Sequence, residues 1–473
     1  MSADSKARAR VLSLLDENSF VETGASVRAR ATDFSLKQKD APSDGVITGY
    51  GVVGGSPVFV YSQDSSVLGG SVGEMHARKI AAVYDRAVQM GVPVIGILDS
   101  AGLRVEESTD ALEGLGEVYA SAVRASGVVP VITAVFGECG GGLSFLSQLA
   151  DFTAVDKENG HLFVNSPDAV KGNCVEKCDT SGSEFQSDEA GNVDFCGDQQ
   201  EIVAWIRDLM SLLPLNNEDD AYVEPADDMN RMISGVDEKD SLLTMMHLAD
   251  DNLFVETRAG FARNMVTGLM RIGGRTVGVF ANRSVAYDEN GAEKETFDNV
   301  LTYKGCIKAS RIVKFCDAFE LPIISLTNVT GFGTCMCNEK NLSRAAAGLL
   351  SDLASSTVPR INVVTGKGYG SAYVVMNSCG LGADLTFAWP GAEIGTMAPA
   401  DAASVLAAGS DGSDKAEIEK KYSELQANVN SASARGYVDT VIEPGETRQY
   451  IAGALEMLSS KAVASEDRKR CTF

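Results

Sequence analysis

The segment GVPVIGILDSAG at 91–102 decides the fold, and a second segment of the same design, ELPIISLTNVTG, occupies 320–331. In each, a proline leads into a short apolar run that ends in a polar residue and a glycine, the pattern of a buried strand followed by a turn. The spacing from Pro93 to Pro322, which we call the repeat offset, recurs between other pairs of residues. It links Pro130 with Pro359, Gly137 with Gly366, and Gly141 with Gly370. The sequence therefore predicts an internal duplication.

Further repeats occur in slightly shifted registers. They are DENSFVET at 16–23 with DDNLFVET at 250–257, and TGYGVVGG at 48–55 with TGLMRIGG at 267–274. A period this long indicates duplicated domains rather than a solenoid, whose repeats span about 20–50 residues. The acidic, proline- and asparagine-rich stretch at 214–231 is predicted to be the linker. We expect one domain at 1–225 and a second at 226–473.

Short apolar segments alternate with amphipathic ones in both halves, which is the pattern of an α/β fold. The first half shows a predicted helix at 73–90 and predicted strands at 93–98 and 128–136. Near the C-terminus, the segment 413–430 is predicted to form one continuous helix.

Composition excludes several classes of protein. The 473 residues carry a formal net charge of −24, which argues against a nucleic-acid partner because phosphate binding needs a basic face. No apolar run reaches the roughly 18 residues of a membrane span, and the N-terminus lacks the apolar core of a signal peptide. We therefore expect a cytoplasmic protein. The ten cysteines show no paired CxxC spacing, so no metal site is predicted.

Two motifs resemble known functional sites, but each lacks a required feature. Gly49-x-Gly51-x-x-Gly54 has the spacing of a dinucleotide fingerprint, yet it leads into a hairpin instead of a helix. Gly69-x-Ser71-x-Gly73 has the spacing of a nucleophile elbow, which needs a histidine partner. The chain has three histidines, His76, His161 and His247. Because His76 lies one turn into the helix that follows Ser71, a structural glycine loop is the preferred interpretation.

The glycine turns at 140–142 and 368–371 are the stronger candidates for chemistry. Each stands between a predicted buried strand and a helix. Glycine lets the backbone approach a ligand, and the first amides of the helix have no partner within it. Such amides are preorganised donors for a developing negative oxygen. Because the turn occurs at the same place in both copies, we favour a functional role over a purely structural one.

Several motifs, in order along the whole chain, resemble those of biotin-dependent acyl-CoA carboxyltransferases. This family includes the β subunit of propionyl-CoA carboxylase and the carboxyltransferase subunit of sodium-pumping methylmalonyl-CoA decarboxylase. The matching stretches are SQDSSVLGGSVGEMHARKI at 62–80, LDSAGLRVEE at 98–107, VFGECGGG at 135–142, SPDAVK at 166–171, RIVKFCDAFELPII at 311–324, GYGSAYVVMNS at 368–378, AWPGAEIGTM at 388–397 and ARGYVDTVI at 434–442.

The resemblance implies two tandem crotonase-like domains and a reaction in which carboxybiotin, on a separate carrier, exchanges CO2 with the α-carbon of an acyl-CoA. In that chemistry the biotin ureido nitrogen takes the α-proton, so two oxyanion holes suffice without a side-chain base. By motif position, the amides of Gly141 and Gly142 hold the thioester enolate oxygen. The amides of Ser371 and Ala372 hold the biotin ureido oxygen.

The resemblance also implies that domain 1–225 binds acyl-CoA and that domain 226–473 binds biotin. The implied residues are, for the acyl-CoA substrate, Ser100, Ala101, Gly102, Arg104, Gly140 and Val374, and for biotin, Gly331, Phe332, Tyr369 and Gly370. The implied partners are a biotin carboxyl carrier protein and either a biotin carboxylase subunit or a membrane decarboxylase subunit. A homo-oligomer with active sites between subunits is expected.

The chain departs from the family pattern at several points. Ser371 stands where relatives have glycine, Asn328 replaces an aspartate, and 172–198 does not resemble the acyl-CoA pocket segment. The acyl group, propionyl/methylmalonyl or acetyl/malonyl, stays open, as does Val374's part in choosing it. Three alternatives remain: the α subunit of a sodium-pumping decarboxylase, a biotin-independent crotonase-type enzyme, and an inactive scaffolding subunit.

Overall fold

A computed structural model describes residues 5–32, 34, 41–171, 178–225, 227–288, 290–408 and 415–461. The chain divides into two compact units, Met1–Asp220 and Ala221–Phe473. The division lies within the predicted linker, slightly before the predicted boundary at 225.

The first unit is built on one eight-stranded sheet. Its strands are β1 (Val21–Thr23), β2 (Val46–Val53), β3 (Ser56–Gln63), β4 (Val94–Ser100), β5 (Val131–Gly140), β6 (Phe152–Asp156), β7 (His161–Phe163) and β8 (Phe195–Gly197). Its helices are α1 (Lys6–Leu14), α2 (Glu74–Met90), α3 (Thr109–Ala125), α4 (Ser144–Leu149) and α5 (Gln199–Leu212). The strand order is β1-β2-β3-β4-β5-β6-β8, with β7 paired to β5. The first three strands are antiparallel and the others are parallel.

The second unit repeats this plan. Its strands are β9 (Phe254–Glu256), β10 (Met265–Ile272), β11 (Arg275–Asn282), β12 (Val285–Tyr287), β13 (Glu293–Thr296), β14 (Ile323–Val329), β15 (Arg360–Tyr369), β16 (Leu385–Ala388), β17 (Glu393–Gly395) and β18 (Thr440–Val441). Its helices are α6 (Ser241–Leu248), α7 (Tyr303–Ala318), α8 (Met336–Ser355), α9 (Gly370–Val375), α10 (Pro399–Leu406), α11 (Lys415–Tyr422), α12 (Val429–Ala434) and α13 (Thr447–Leu458). The order is β9-β10-β11-β14-β15-β16-β18, with β17 paired to β15. The hairpin β12–β13 forms a separate two-stranded sheet.

The strand register confirms the duplication. Val94 pairs with Val131 in the first sheet, and Ile323 pairs with Arg360 in the second, so the repeat offset holds on both strands. Both pairings also become irregular at equivalent points, after Leu98 in one copy and after Thr327 in the other. All seven residues of β4 and all seven of β14 are buried, as the apolar runs predicted.

The repeats in shifted registers have the same structural role in each unit. The Asp16 carboxylate accepts hydrogen bonds from the two glycine amides of the hairpin tip at 54–55, at 3.1 and 3.0 Å. The Asp250 carboxylate accepts the equivalent bonds from the amides at 273–274, at 3.0 and 2.8 Å. An aspartate and a Gly-Gly tip therefore recur together, because the tip amides need an acceptor.

Two segments differ from expectation. The prediction of one continuous helix over 413–430 was wrong: α11 ends at Tyr422, a wide turn occupies 423–427, and α12 follows. The Asn428 side chain accepts a hydrogen bond from the Ser431 amide at 2.8 Å, so it caps a new helix. The described part of the 172–198 segment, which begins at 178, supplies strand β8, the counterpart of β18. In the part of the chain that is described, no helix has the length and hydrophobicity needed to cross a membrane.

Candidate active site

In the first glycine turn, Gly141 and Gly142 are glycine for different physical reasons. β5 ends at Gly140, and a single helical turn at Gly141–Leu143 leads into α4. Gly141 has a φ of 62°, and a Cβ there would meet nothing within 4 Å, so the backbone conformation requires glycine. A Cβ on Gly142 would lie 2.7 Å from the Tyr119 hydroxyl oxygen, so close packing excludes a side chain there.

A cavity of about 330 Å³ opens beside this turn. It brings together the predicted residues Ser100, Ala101, Gly102, Gly140, Gly141 and Gly142. Its remaining lining residues, which were not predicted, are Leu103, Glu138, Leu143 and Phe163. The ends of two adjacent parallel strands, β4 and β5, deliver most of this wall, because the carboxyl ends of parallel strands meet at one edge.

An ion pair joins α1 to β4, one residue before Ser100 of the cavity wall. Arg10, on α1, contacts Asp99 with 2.8 Å between Nη1 and Oδ2. The Arg10 guanidinium also lies 5.0 Å from the centre of the Phe136 ring. Asp99 occupies the space beside Gly137, where a Cβ would lie 2.2 Å from Oδ1. Glycine is therefore required at position 137 by the Asp99 side chain on the neighbouring strand. In the second unit, Gly366 and Asn328 have the same relationship.

Arg104, predicted to bind substrate, is not among the residues that line the cavity, although it directly follows Leu103, which is. Its side chain is buried, and its Nη1 lies 2.6 Å from Asp44 Oδ1 and 2.7 Å from Glu107 Oε1. It also donates to the Ser71 carbonyl oxygen at 2.7 Å. Burial raises the pKa of Asp44, and the adjacent guanidinium opposes that rise. The geometry gives Arg104 a structural role in holding the loops around it, and its contact with substrate stays a prediction.

His76 is not placed to serve as a base for the elbow-like segment. The His76 Nδ1–H donates to the Asp44 carbonyl oxygen at 2.8 Å, and Nε2 lies 3.2 Å from Gln63 Nε2. Complete burial lowers the pKa of His76 to about 3. Ser71 Oγ instead accepts a hydrogen bond from Arg104 Nε at 3.3 Å. Ser71 and His76 are therefore structural residues.

The second glycine turn occupies the equivalent place in the second unit. β15 ends at Tyr369, and α9 begins at Gly370, whose φ is also 62°. A Cβ on Gly370 would lie 3.2 Å from the Thr396 carbonyl oxygen. Ser371 is exposed and Ala372 is buried, and Val374 on the same helix is 39% exposed.

A second cavity, of about 530 Å³, lies beside this turn. Tyr369 is the predicted residue that lines it, together with Lys367, Glu393, Ala398, Pro399, Ala400, Ala416, Glu419, Lys420, Ser423 and Glu424. The Tyr369 hydroxyl donates a hydrogen bond to Glu393. Burial raises the pKa of Tyr369, and the bond to the Glu393 carboxylate raises it further.

Gly331 and Phe332 follow β14, in a loop next to Leu301. The Leu301 amide donates to the Gly331 carbonyl oxygen at 2.9 Å, and Leu301 forms a β-bridge with Phe332. A Cβ on Gly331 would meet nothing within 4 Å. Across the described ranges, no group of three or more His, Cys, Asp or Glu side chains is placed to hold a metal ion.

The two sheets of equal topology, each carrying a glycine turn at a helix N-terminus, define a tandem α/β enzyme of crotonase-like domains. The carboxyl transferase domain model matches residues 4–473, and the chain belongs to this family.

The chain is 38% identical to the propionyl-CoA carboxylase beta chain of Roseobacter denitrificans, over 97% of this chain and 91% of that protein. It is 36% identical to the methylmalonyl-CoA decarboxylase subunit alpha of Veillonella parvula, over 96% and 90%. The transcarboxylase 12S crystal structure with hydrolysed methylmalonyl-CoA bound superposes with a TM-score of 0.90 at 35% identity, over 99% and 92%. The predicted family, the fold of two crotonase-like domains and the enzyme class, a biotin-dependent acyl-CoA carboxyltransferase, are thereby confirmed.

Proposed function

We propose that this chain moves CO2 between carboxybiotin on a separate carrier protein and the α-carbon of a short-chain acyl-CoA. One observation carries the proposal: Gly141 and Gly370 form the same turn, with the same φ, at the same register of two duplicated sheets. Each turn opens a helical segment whose first amides have no partner within it. Two such sets of donors match a reaction in which two oxygens gain negative charge.

The two turns have different roles in this proposal. The amides of Gly141 and Gly142 hold the thioester oxygen of the enolate, beside the cavity that 100–102 lines. The amides of Ser371 and Ala372 hold the ureido oxygen, next to Tyr369 and Gly370. Biotin, when bound, supplies a ureido group that carries CO2 and accepts the α-proton.

The chain has three histidines, and the first turn itself supplies backbone amides, which favours chemistry by fixed dipoles. His76 is neutral at physiological pH because its pKa is about 3. Backbone amides need no change of protonation state, and they stabilise an enolate in the position where they are already held. The proposed division gives the acyl-CoA side to 1–225 and the biotin side to 226–473, with Gly331 and Phe332 contributing on the biotin side.

The named relatives act on propionyl-CoA and methylmalonyl-CoA, and we propose the same short acyl class for this chain. The partners are a biotin carboxyl carrier protein and either a biotin carboxylase subunit or a membrane decarboxylase subunit. The transcarboxylase 12S structure is described as a hexamer assembly, and we propose a cytoplasmic homo-oligomer with active sites between subunits.

The deciding experiment is decarboxylation of methylmalonyl-CoA and malonyl-CoA by the purified protein, with and without free biotin. We expect turnover that depends on biotin, and the better substrate identifies the acyl group. Turnover of acyl-CoA that is independent of biotin would favour a crotonase-type enzyme. Absence of turnover across short acyl-CoAs would favour the scaffolding role.

A further inference from the structure

The carbonyl oxygens of the first glycine turn are held by two side-chain hydroxyls. The Ser144 hydroxyl donates to the Gly141 carbonyl oxygen at 2.7 Å. The Tyr119 hydroxyl, from α3, donates to the Gly142 carbonyl oxygen at 2.6 Å. We call Tyr119 and Ser144 the hydroxyl pair. Neither residue is among those that line the cavity.

Peptide geometry connects these bonds to the amide donors. In a trans peptide the C=O and the N–H point in opposite directions. The Gly141 carbonyl belongs to the same peptide plane as the Gly142 amide, so the bond from Ser144 sets the direction of that N–H. The bond from Tyr119 holds the next peptide plane and so restricts rotation about Gly142. The Ser144 backbone amide also donates to both carbonyl oxygens, and the two hydroxyls add to these bonds at a pair of glycines whose backbone is intrinsically free to rotate.

The second copy lacks a counterpart of Tyr119. At the repeat offset, Gly348 stands in place of Tyr119, and Ser371 stands in place of Gly142. A Cβ on Gly348 would meet nothing within 4 Å, and glycine supplies no hydroxyl at this position. Gly142 lacks a positive φ, so the conformation of its backbone does not require glycine. Glycine is favoured there because a Cβ would lie only 2.7 Å from the Tyr119 hydroxyl oxygen. In the second copy, which has no tyrosine at the position of Tyr119, Ser371 carries a side chain at the position of Gly142.

We propose that Tyr119 and Ser144 are positioning residues that preorganise the Gly142 amide of the acyl-CoA turn, while the biotin turn lacks the Tyr119 hydroxyl. The inference rests on the proposed function, because it assigns the preorganised amide to the enolate. Burial raises the pKa of Tyr119, which keeps its hydroxyl proton available for donation. The ring is further held by Phe145 on α4, with 6.2 Å between ring centres.

The test compares Tyr119→Phe and Ser144→Ala with wild type in biotin-dependent decarboxylation of methylmalonyl-CoA. Each variant removes one hydroxyl and keeps the surrounding packing. Removing an oxyanion donor outright typically lowers kcat by about 100- to 1,000-fold, and we expect roughly a tenfold loss for each positioning bond. The KM for acyl-CoA and the KM for free biotin should change by less than about twofold. These bonds are expected to stabilise the transition state and not the bound substrates, so the variants should lower kcat.

Two control variants separate positioning from stability. Ser144→Thr keeps a hydroxyl at the same place and should restore kcat to within about threefold of wild type. Ser147→Ala removes an equivalent bond on the same helix, from the Ser147 hydroxyl to the Ser144 carbonyl oxygen at 2.8 Å, and should leave kcat unchanged. Thermal unfolding and gel filtration of every variant show whether the fold and assembly are retained.

The outcomes are distinguishable. A fall in kcat at constant KM, rescued by Ser144→Thr, supports the inference. If wild type is active and both hydroxyl deletions behave like Ser147→Ala, the inference is overturned and the proposed function stands. A loss of activity that only follows loss of folding also overturns it. If wild type shows no biotin-dependent turnover, the proposed function fails, and this inference fails with it.

Discussion

Gly141 and Gly370 have the same backbone φ of 62°, although they belong to different units of the chain. Each follows the end of the equivalent strand and begins a helical segment. Side chains rarely adopt this conformation, so both copies retain glycine. The next residue has diverged, with Gly142 in one copy and Ser371 in the other. The conformation of the turn has therefore been kept while its surroundings have become different.

Gly142→Ala is expected to destabilise the protein by about 1–3 kcal/mol, because the added Cβ would lie 2.7 Å from the Tyr119 hydroxyl oxygen. Tyr119→Phe removes that oxygen, so the double variant should cost less than the sum of the two single changes. Denaturant unfolding of the four proteins measures the coupling. Gly116→Ala, on the helix of Tyr119 with open space at its Cβ, is the matched control. Strictly additive costs would show that the clash is relieved elsewhere.

Ser371→Gly should lower the KM for free biotin. The hydroxymethyl group lies beside the proposed ureido site, and removing it widens the slot while keeping the amide. We expect the KM for free biotin to fall by about threefold, equivalent to roughly 0.7 kcal/mol, with an unchanged KM for acyl-CoA. Ser211→Gly, at an exposed position in the first unit, controls for the substitution. An unchanged KM for biotin would place the ureido group away from this side chain.

His76 makes stability depend on pH. Burial, together with the nearby cations Arg104 and Lys79, lowers its pKa from 6.5 to about 3. Between these values the unfolded chain binds a proton that the folded chain does not, so stability is fully present above pH 6.5 and is lost as the pH falls. The loss from this group reaches about 1.4 kcal/mol per pH unit.

The pH dependence is tested by urea unfolding of wild type and His76→Gln at pH 7.5 and 5.0. Wild type should lose roughly 2 kcal/mol more than the variant over this range, because glutamine does not titrate. His247→Gln is the matched control for the substitution. Equal pH dependence in wild type and His76→Gln would mean that the pKa of His76 is close to its ordinary value.

An uncharged side-chain pair, like the two asparagines at the equivalent place in the second unit, is expected to substitute in part for the Arg10–Asp99 ion pair. There, Asn299 Nδ2 donates to Asn328 Oδ1 at 2.8 Å at the place equivalent to Asp99. Arg10→Gln alone should cost about 3 kcal/mol, since it leaves a largely buried carboxylate without its cation. Adding Asp99→Asn should recover part of that loss, with a coupling of about 0.5–3 kcal/mol.

The matched control is the exposed ion pair between Arg124 and Asp85, with 2.9 Å between its charged atoms. Removing Arg124 should cost no more than about 1 kcal/mol, because water and salt screen exposed charges. If Arg10→Gln were equally mild, the pair would not be what holds α1 against the strand ends.

Much of the fold follows from local patterns. The apolar runs at β4 and β14 mark buried strands because each lies between covering layers, and glycine or proline marks where each run ends. The shifted repeats were also informative, because Asp16 and Asp250 each accept from a glycine hairpin tip. The predicted helix over 413–430 failed because its polar composition does not reveal where the backbone turns and Asn428 begins a new helix.

The candidate site was likewise only partly predictable from the sequence. Glycine turns are visible in a sequence because few other residues tolerate a positive φ. The hydroxyl pair was not predicted, because Tyr119 and Ser144 look like ordinary helix residues until α3 is packed beside the turn. Glu393 and Lys367 were missed for the same reason: they reach the second cavity from separate strands.

The sequence by itself determined the duplication, the class of fold, the family and the two turns, because each depends on short-range patterns that repeat at a constant offset. Only the tertiary structure decided which residues support those turns. It showed that Tyr119 and Ser144 hold the first turn, and that Arg104 is held by Asp44 and Glu107. Such contacts join residues distant in the chain, and their geometry depends on how helices and strand ends pack together.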